Sequence, residues 1–312
     1  MTISTDWSRV ARAAACAVLA AATACASVPV RRVSPIAEAD RQAKQALATE
    51  SQIDPGRIPA RSFGVLPFAV AERDTLLRPL GYAMAEFMVS DLSHSSELQM
   101  VERLRTDAIF RELDLVDQGI VDPRTAPRVG RLVGARRLLV GEVRAAPGDA
   151  VEFSARVVDV VAGTVEQLVS ATAPLGRIID AEKVLALRVF EELGITLTPA
   201  QRVAVEQRQT INLAATVAYG RGLESEAHGD ETGAIASFQE AARLDASFVA
   251  ARTQLASAAP GVSAQHGAGI KRVLDLSAQA INGPVTTKLP EAADVPLSSN
   301  QLLTLLITVR VF

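Results

Sequence analysis

One stretch, residues 119–143, constrains the fold of this chain more than any other part of the sequence. It reads GIVDPRTAPRVGRLVGARRLLVGEV. Asp122 is a suitable cap for a helix whose first residue is Pro123, because proline already has a helical φ and lacks only an N–H that would be unpaired there. The next small or apolar residues recur three or four positions apart: Ala126, Val129, Gly130 and Val133. Gly134 then predicts the end of the helix, and Arg137–Val143 predicts a buried strand. A capped helix that leads directly into a buried strand is typical of an α/β domain.

The flanking sequence supplies the rest of that domain, which we place at residues 62–197. Apolar or alternating runs predict four further strands: Phe63–Phe68, Leu98–Val101, Val151–Val160 and Thr164–Thr172. Apolar residues at helical spacing predict helices around residues 77–92, 104–113 and 178–193. The alternation within residues 151–160 indicates a strand with one exposed face. The order β-α-β-α-α-β-β-β-α predicts a mixed sheet with packed helices, an α/β (α+β) fold.

Composition excludes several classes of site. Hydrophobic residues make up 49% of the chain, the formal net charge is −3, and Lys and Arg form no clustered face, so we expect no nucleic-acid partner. The two cysteines, Cys16 and Cys25, leave the rest of the chain without a disulfide or a thiolate metal site. The histidines His94, His228 and His266 show no ligand spacing, and no catalytic motif is present. We therefore expect no enzyme activity, metal, cofactor or small-molecule substrate.

Residues 1–26 have the pattern of an export signal. Arg9 and Arg12 precede an apolar run of 12 residues, Ala13–Ala24, which is too short for a membrane span of about 20 residues. Two alternative cleavage sites are compatible with this sequence. Residues 24–26 (ACA) fit release into the periplasm, whereas residues 22–25 (ATAC) resemble a bacterial lipobox, in which Cys25 becomes the lipidated first residue. That resemblance implies a lipid anchor at the periplasmic face of the outer membrane, and a soluble periplasmic protein is the alternative.

Residues 27–61 predict a tether that carries one short helix. Prolines at positions 29, 35, 55 and 59 interrupt it, and residues 36–49 have an amphipathic helical pattern. The pattern leaves open whether this helix packs on the domain or only spaces the domain from the membrane.

Four segments of the α/β domain carry a family resemblance. They are residues 63–68 (FGVLPF), 101–113 (VERLRTDAIFREL), 119–143 and 155–165 (ARVVDVVAGTV). In this order they resemble the periplasmic domain of the curli production assembly/transport component (CsgG) family. The resemblance implies an outer-membrane lipoprotein whose subunits can form a ring. Glu102 and Arg103 match a recurring pair of that family, for which an intersubunit ion pair, a cap and a plain surface pair are all open.

The sequence departs from the channel-forming members of the family in one respect. Those members insert long amphipathic hairpins into the domain, and a membrane strand needs about 9–11 residues. Only seven residues separate Val143 from Val151. We therefore expect the chain to have no membrane pore of its own.

Residues 198–259 predict a helical region with one tetratricopeptide-like (TPR-like) repeat. Residues 215–248 resemble such a repeat at five positions: Gly222, Gly229, Ala234, Phe238 and Ala241. Small residues are needed where two helices cross closely, and Phe238 fills the adjoining space. Because a single repeat cannot bury its own face, packing on the first domain or on another subunit is one interpretation, and an independent peptide-binding groove is the other.

Residues 260–312 predict a loop rich in Gly, Ala and Ser, a helix over 270–281 and a terminal strand over 302–312 (LLTLLITVRVF). We expect that strand to extend the edge of a soluble sheet.

Together these patterns indicate a non-enzymatic outer-membrane lipoprotein that takes part in periplasmic or outer-membrane assembly or secretion. Its expected partners are proteins of the cell envelope, with a ring of its own subunits as one arrangement. The alternative is a periplasmic regulatory module that activates an envelope enzyme through its α/β or TPR-like region.

Overall fold

The computed structural model describes residues 34–115, 125–165 and 168–258. Four sequence predictions lie outside the described residues. They are the export signal with Cys25, the start of the tether at residues 27–33, the cap at Asp122 and Pro123, and the loop, helix and strand of residues 260–312.

The described residues contain nine α-helices and six strands. The helices are α1 (Pro35–Ala48), α2 (Arg78–Leu92), α3 (Arg103–Glu112), α4 (Ala126–Val133), α5 (Ile178–Glu192), α6 (Pro199–Glu206), α7 (Leu213–Ala227), α8 (Glu231–Leu244) and α9 (Val249–Ala258). The strands are β1 (Ser62–Val65), β2 (Ala69–Val70), β3 (Gln99–Met100), β4 (Arg137–Ala146), β5 (Ala150–Asp159) and β6 (Val169–Pro174). The predicted mixed α/β fold class is confirmed.

The six strands form one mixed sheet in the order β3-β1-β4-β5-β6, and β2 pairs with β4. Strand β1 runs parallel to both β3 and β4, with Gly64 opposite Leu138. Strands β4, β5 and β6 are antiparallel to one another. β4 and β5 pair along their whole length, and residues 147–149 form the turn between them.

Helices cover both faces of the sheet. On one face Leu139 and Phe153 pack in a core with α2 and α5, and on the other face Leu138 packs in a core with α3 and α4. Neighbouring residues of β4 therefore enter different cores, as side-chain alternation requires. The sequence predicted one exposed face for β5. In the structure the C-terminal end of β5 is buried on both faces, because the neighbouring residues Val157 and Val158 are both buried. Gly130 of α4 makes this close packing feasible, because a Cβ there would lie 2.2 Å from Val160 Cγ2.

Helix α4 ends at the predicted residue. Gly134 adopts the left-handed conformation with φ of +77°, and its N–H donates to the carbonyl of Arg131. Glycine takes this conformation without the steric cost that other residues pay. The helix begins at Ala126, with Thr125 at the N-cap position, and therefore starts three residues after the predicted first residue, Pro123.

Strand β6 lies later in the chain than the predicted segment Thr164–Thr172. Its ladder with β5 begins at the pair Ala155–Val169 and continues to Ala150–Pro174. The turn after β5 is tight: the Asp159 N–H donates to the Thr164 carbonyl at 2.9 Å, and the Asp159 carboxylate accepts from the backbone N–H groups of Val161 and Ala162 at 2.9 and 2.8 Å. A bridge pairs Val158 with Val165, so the chain returns to β5 at the predicted place, and the continuous ladder starts only at Val169.

Helix α1 packs on the domain, which decides between the two interpretations left open by the sequence. Ile36, Ala39 and Ala43 are buried on its inner face, and Ala43 is completely buried. Ala39 and Ala43 belong to the core that α3 and α4 form with the sheet. The Ser34 hydroxyl caps the helix by accepting from the Ala37 N–H at 3.3 Å.

Candidate functional site at the helical interface

The predicted TPR-like residues lie at the crossing of α7 and α8. A Cβ at Gly222 would lie 2.3 Å from Cε1 of Phe238, so only glycine permits this crossing without moving the ring. Ala234, Phe238 and Ala241 are completely buried. Gly229 has φ of +78° in the turn between the helices. Four of the five residues thus face the interior of the pair, whereas Gly229 is exposed in the turn, and their assignment to a tetratricopeptide repeat stays a prediction.

The pair α7–α8 docks on α2 of the sheet domain through small residues and aromatic rings. A Cβ at Gly220 would lie only 1.9 Å from the carbonyl oxygen of Pro79. The rings of Phe87 and Tyr219 stack with centroids 6.0 Å apart and planes at 8°. Phe248, just before α9, contacts Tyr219 with centroids 4.8 Å apart. Rings of this size dominate interface energetics, so the helical pair and the sheet domain share one continuous core.

A buried arginine connects α2, α3 and α7 beside this core. Arg103 donates from Nη1 to Asp107 Oδ2 at 2.6 Å and from Nη2 to the Glu226 carboxylate. Its Nε lies 3.0 Å from Glu86 Oε2. Side-chain exposure is 11% for Arg103, 1% for Asp107 and 7% for Glu226, so these charges are largely removed from water. One guanidinium therefore serves three carboxyl groups from three helices.

Burial raises the pKa of the carboxyl groups around Arg103. Burial raises the pKa of Asp107 to about 6, although Arg103 and Arg111 act to lower it. Burial also raises the pKa of Glu226 above its ordinary value, again against the effect of Arg103. Burial disfavours the charged form of Arg103, but the surrounding carboxylates outweigh it and raise its pKa. The guanidinium thus stays charged while Asp107 titrates near neutral pH.

Arg111 adds a second connection between α3 and its neighbours. Its Nη1 donates to the backbone carbonyls of Glu226 and Ala227 at 3.0 and 2.8 Å, at the C-terminus of α7. Its Nε and Nη2 donate to Asp40 Oδ1 on α1, at 3.1 and 2.5 Å. A cation at a helix C-terminus pairs with carbonyls that lack intrahelical partners. Arg111 therefore fixes α1 and α7 to the same face of α3.

A separate ionic cluster lies between α2 and α5. Lys183 Nζ donates to both carboxylate oxygens of Asp91, at 2.9 and 2.7 Å, and lies 3.1 Å from Glu182 Oε2. Burial raises the pKa of Glu182 well above its usual range, and the nearby Asp91 carboxylate raises it further. The neutral form of Glu182 is therefore favoured beside the Lys183–Asp91 ion pair inside the core.

Glu102 and Arg103 have different environments in the structure. Glu102 is exposed at the N-cap position of α3, where its side chain makes no capping hydrogen bond. Arg103 points inward and its guanidinium is used within the chain. The intersubunit role of this pair stays a prediction.

The sequence analysis missed the partners in both ionic clusters, although a signal was present. Asp91 follows Phe87 by four positions, and Glu182 follows Ile178 by four, so each lies on the apolar stripe of its helix. Asp107 likewise follows Leu104 by three positions. A charged residue on an inward-facing stripe predicts a buried partner.

The described parts of the chain offer no group of three or more His, Cys, Asp or Glu side chains arranged to hold a metal ion. Among residues 34–115, 125–165 and 168–258, no helix is both long and apolar enough to cross a membrane. The helical interface itself contains charge pairs, aromatic rings and small residues. Such an arrangement holds helices together, and it sets the geometry of the surfaces around it.

Comparison with protein-family models matches residues 66–149 to the family described as curli production assembly/transport component CsgG. Comparison with curated protein sequences gave no match. Among solved structures, the chain is similar to the LpoB C-terminal domain from Salmonella enterica, with 14% identity and a TM-score of 0.31, covering 44% of this chain and 98% of that one. It is also similar to lipoprotein GNA1162 from Neisseria meningitidis, with 19% identity and a TM-score of 0.31, covering 45% of this chain and 100% of that one. The matched range starts just after β1 and ends in the turn after β4, and residues 66–149 are therefore identified as a CsgG-like domain.

Proposed function

We propose that this protein is a non-enzymatic lipoprotein of the outer membrane that takes part in envelope assembly or secretion through protein partners. The observation that carries the proposal is the CsgG-like domain at residues 66–149. The export-signal pattern of residues 1–26 supports it, because Cys25 lies in a lipobox-like sequence. In this proposal Cys25 carries the lipid and the sheet domain is held at the periplasmic face.

The docking of α7–α8 supports a role for the two parts as one rigid body. Gly220 touches the backbone of Pro79, and Arg103 pairs with Glu226 across the interface. Phe238 and Ala241 are buried between the helices, where they organise the interface and are not available to a peptide. We therefore propose that partners bind the outer surface of the combined unit rather than a groove inside the repeat.

The short connection between β4 and β5 supports a protein without its own pore. In the described residues, positions 147–149 form a three-residue turn, and β6 pairs with β5 up to that turn. The channel-forming members of the family insert a long hairpin at a corresponding place. In this proposal the chain assists secretion or assembly beside a channel.

Membrane fractionation followed by intact-mass analysis of the mature protein tests the anchor. The expected result is an outer-membrane protein whose mass shows a diacylglyceryl group on Cys25. A mature chain that starts at Ser27 with no adduct would contradict the anchor. Lipid on Cys25 together with enrichment in the inner membrane would contradict the outer-membrane assignment.

A regulatory module that activates an envelope enzyme is the second candidate, and the short turn between β4 and β5 favours it as well. The two candidates differ in assembly state. Mass photometry of the detergent-solubilised full chain is expected to show a ring if the protein acts in secretion. A monomer that cross-links in cells to a single envelope enzyme would favour the regulatory candidate.

A further inference from the structure

We infer that residues 302–312 of the same chain add to the sheet as a seventh strand along the outer edge of β6. The structure describes the receiving edge, and the sequence supplies the incoming segment. This inference does not depend on the proposed function, because it concerns contacts within one chain.

The outer edge of β6 presents backbone groups to which another strand can bind. The Leu175 N–H donates to the Asp149 carbonyl at 3.0 Å, which fixes the alternation of the antiparallel ladder. Residues 169, 171 and 173 therefore bond to β5, and the N–H and C=O groups of Ser170 and Thr172 point away from it. The Ser170 carbonyl accepts from the Arg188 guanidinium, and the second lone pair of that oxygen stays available.

Helix α5 forms one wall of a groove beside β6. The groove has a volume of about 490 Å³ and lies between residues 170–174 and the outer side of α5, lined there by Arg177, Asp180, Ala181, Val184 and Arg188. Val184 is 43% exposed in the groove, and Leu168 is 53% exposed just before β6. A strand laid along β6 would cover apolar surface that is otherwise in contact with water.

The two faces of the incoming segment match the two faces of β6. In residues 302–312 the odd-numbered positions are all apolar: Leu303, Leu305, Ile307, Val309 and Val311. The even-numbered positions are mixed: Thr304, Thr308 and Arg310 are polar, and Leu302, Leu306 and Phe312 are apolar. On β6, Val169, Ala171 and Ala173 are buried towards α5, whereas Ser170 and Thr172 lie on the more exposed face. When residues 302–312 pair with β6, the side chains of the odd-numbered residues can therefore face α5. The side chains of the even-numbered residues then lie on the same side of the sheet as Ser170 and Thr172.

The opposite edge of the described sheet is a poorer acceptor. Strand β3 consists of only two residues, Gln99–Met100, whereas β6 has six. Short edge strands are a common way to prevent further pairing. The longer β6 edge is the one that can hold most of an 11-residue segment.

The length of the connection favours the chain's own segment over that of a second copy. Residues 259–301 are 43 in number and could span up to about 140 Å when extended. A segment that is covalently connected within this reach binds in an intramolecular step, at an effective concentration set by the length of the connection. A second copy at micromolar concentration competes poorly with such a segment.

Amide hydrogen exchange of the full chain in detergent, resolved to single residues of β6, tests the inference. We expect slow exchange at Ser170 and Thr172, independent of protein concentration. Ile307→Asp should accelerate both amides at least about ten-fold, because it places a charge against α5. Leu306→Asp, on the other face of the same segment, is the matched control and should leave them slow.

A second pair of variants tests the receiving side. Val184→Asp changes a partly exposed residue of the groove and should reproduce the effect of Ile307→Asp, whereas Val203→Asp, 68% exposed on α6, should not. Far-UV circular dichroism checks that each variant is folded. Fast exchange at Ser170 and Thr172 in the wild type, or no response to Ile307→Asp, would overturn the inference. Protection that is lost on dilution would also overturn it, since a second copy would then supply the strand.

Discussion

The burial of Asp107 predicts that neutralising this one side chain changes the pH dependence of stability. Its carboxylate is 1% exposed and accepts from Arg103 Nη1 at 2.6 Å. Burial raises its pKa to about 6 in the folded protein, against an ordinary value of 3.8. Between these two values the folded protein holds a proton that the unfolded chain has released.

The sign and size of the effect follow from this difference. Because the folded state binds the additional proton, the contribution of Asp107 to the free energy of unfolding is fully present below pH 3.8 and is lost as the pH rises to about 6. A difference of about two pKa units corresponds to about 3 kcal/mol. The amide side chain of Asp107→Asn does not titrate. The free energy of unfolding of this variant should therefore not include the loss that the wild type shows as the pH rises to about 6.

Urea unfolding of the wild type and of Asp107→Asn at several pH values between 4 and 7 measures the effect. We expect the free energy of unfolding of Asp107→Asn to decline less than that of the wild type across this window, by about 3 kcal/mol. Glu97→Gln changes an exposed carboxyl and is the control, for which the wild-type dependence is expected. Equal pH dependence in Asp107→Asn and the wild type would refute the reasoning, because another carboxyl of the cluster would then hold the proton.

Two further predictions concern the other contacts in the helical interior. Lys183→Met leaves the buried Asp91 carboxylate without its ammonium partner. The variant should lower the free energy of unfolding by about 3–5 kcal/mol, measured by chemical denaturation at pH 7. A change below about 1 kcal/mol would contradict this prediction. Gly220→Ala places a Cβ 1.9 Å from the Pro79 carbonyl oxygen and should cost about 1–3 kcal/mol in the same assay. Gly176→Ala, which meets no atom within 4 Å, is its control, and equal stability of the two variants would contradict the reasoning.

Short sequence patterns predicted the elements whose conformation depends on a few neighbouring residues. The stop of α4 at Gly134 follows from the left-handed conformation of one residue, and the strand after it follows from an apolar run. The bounds of β6 could not be predicted in this way. The turn at Asp159 returns the chain to β5 at the bridge Val158–Val165, but the continuous ladder starts only at Val169, in a register that differs from that bridge by one residue.

The ionic contacts of the helical interface depend on which helices meet. Arg103 and Glu226 are 123 residues apart, and no periodicity connects positions at that distance. The sequence identified Arg103 as a residue of interest and Gly222 and Phe238 as packing positions, but it could not pair Arg103 with α7. Only the docking of α7 on α2 brings these groups together.

The attachment of α1 to the folded unit restricts how far that unit can travel from its anchor. The described helix is capped by Ser34, nine Cα–Cα steps after Cys25, and nine steps span at most about 30 Å. A free tether over all of residues 27–61 would span about 120 Å. If Cys25 is acylated, the domain would stay close to the membrane that holds the lipid. An enzyme in the other membrane would then have to span most of the periplasm to contact the domain. Under the proposed anchor at Cys25, this short range would favour assembly at the outer membrane over regulation across the periplasm.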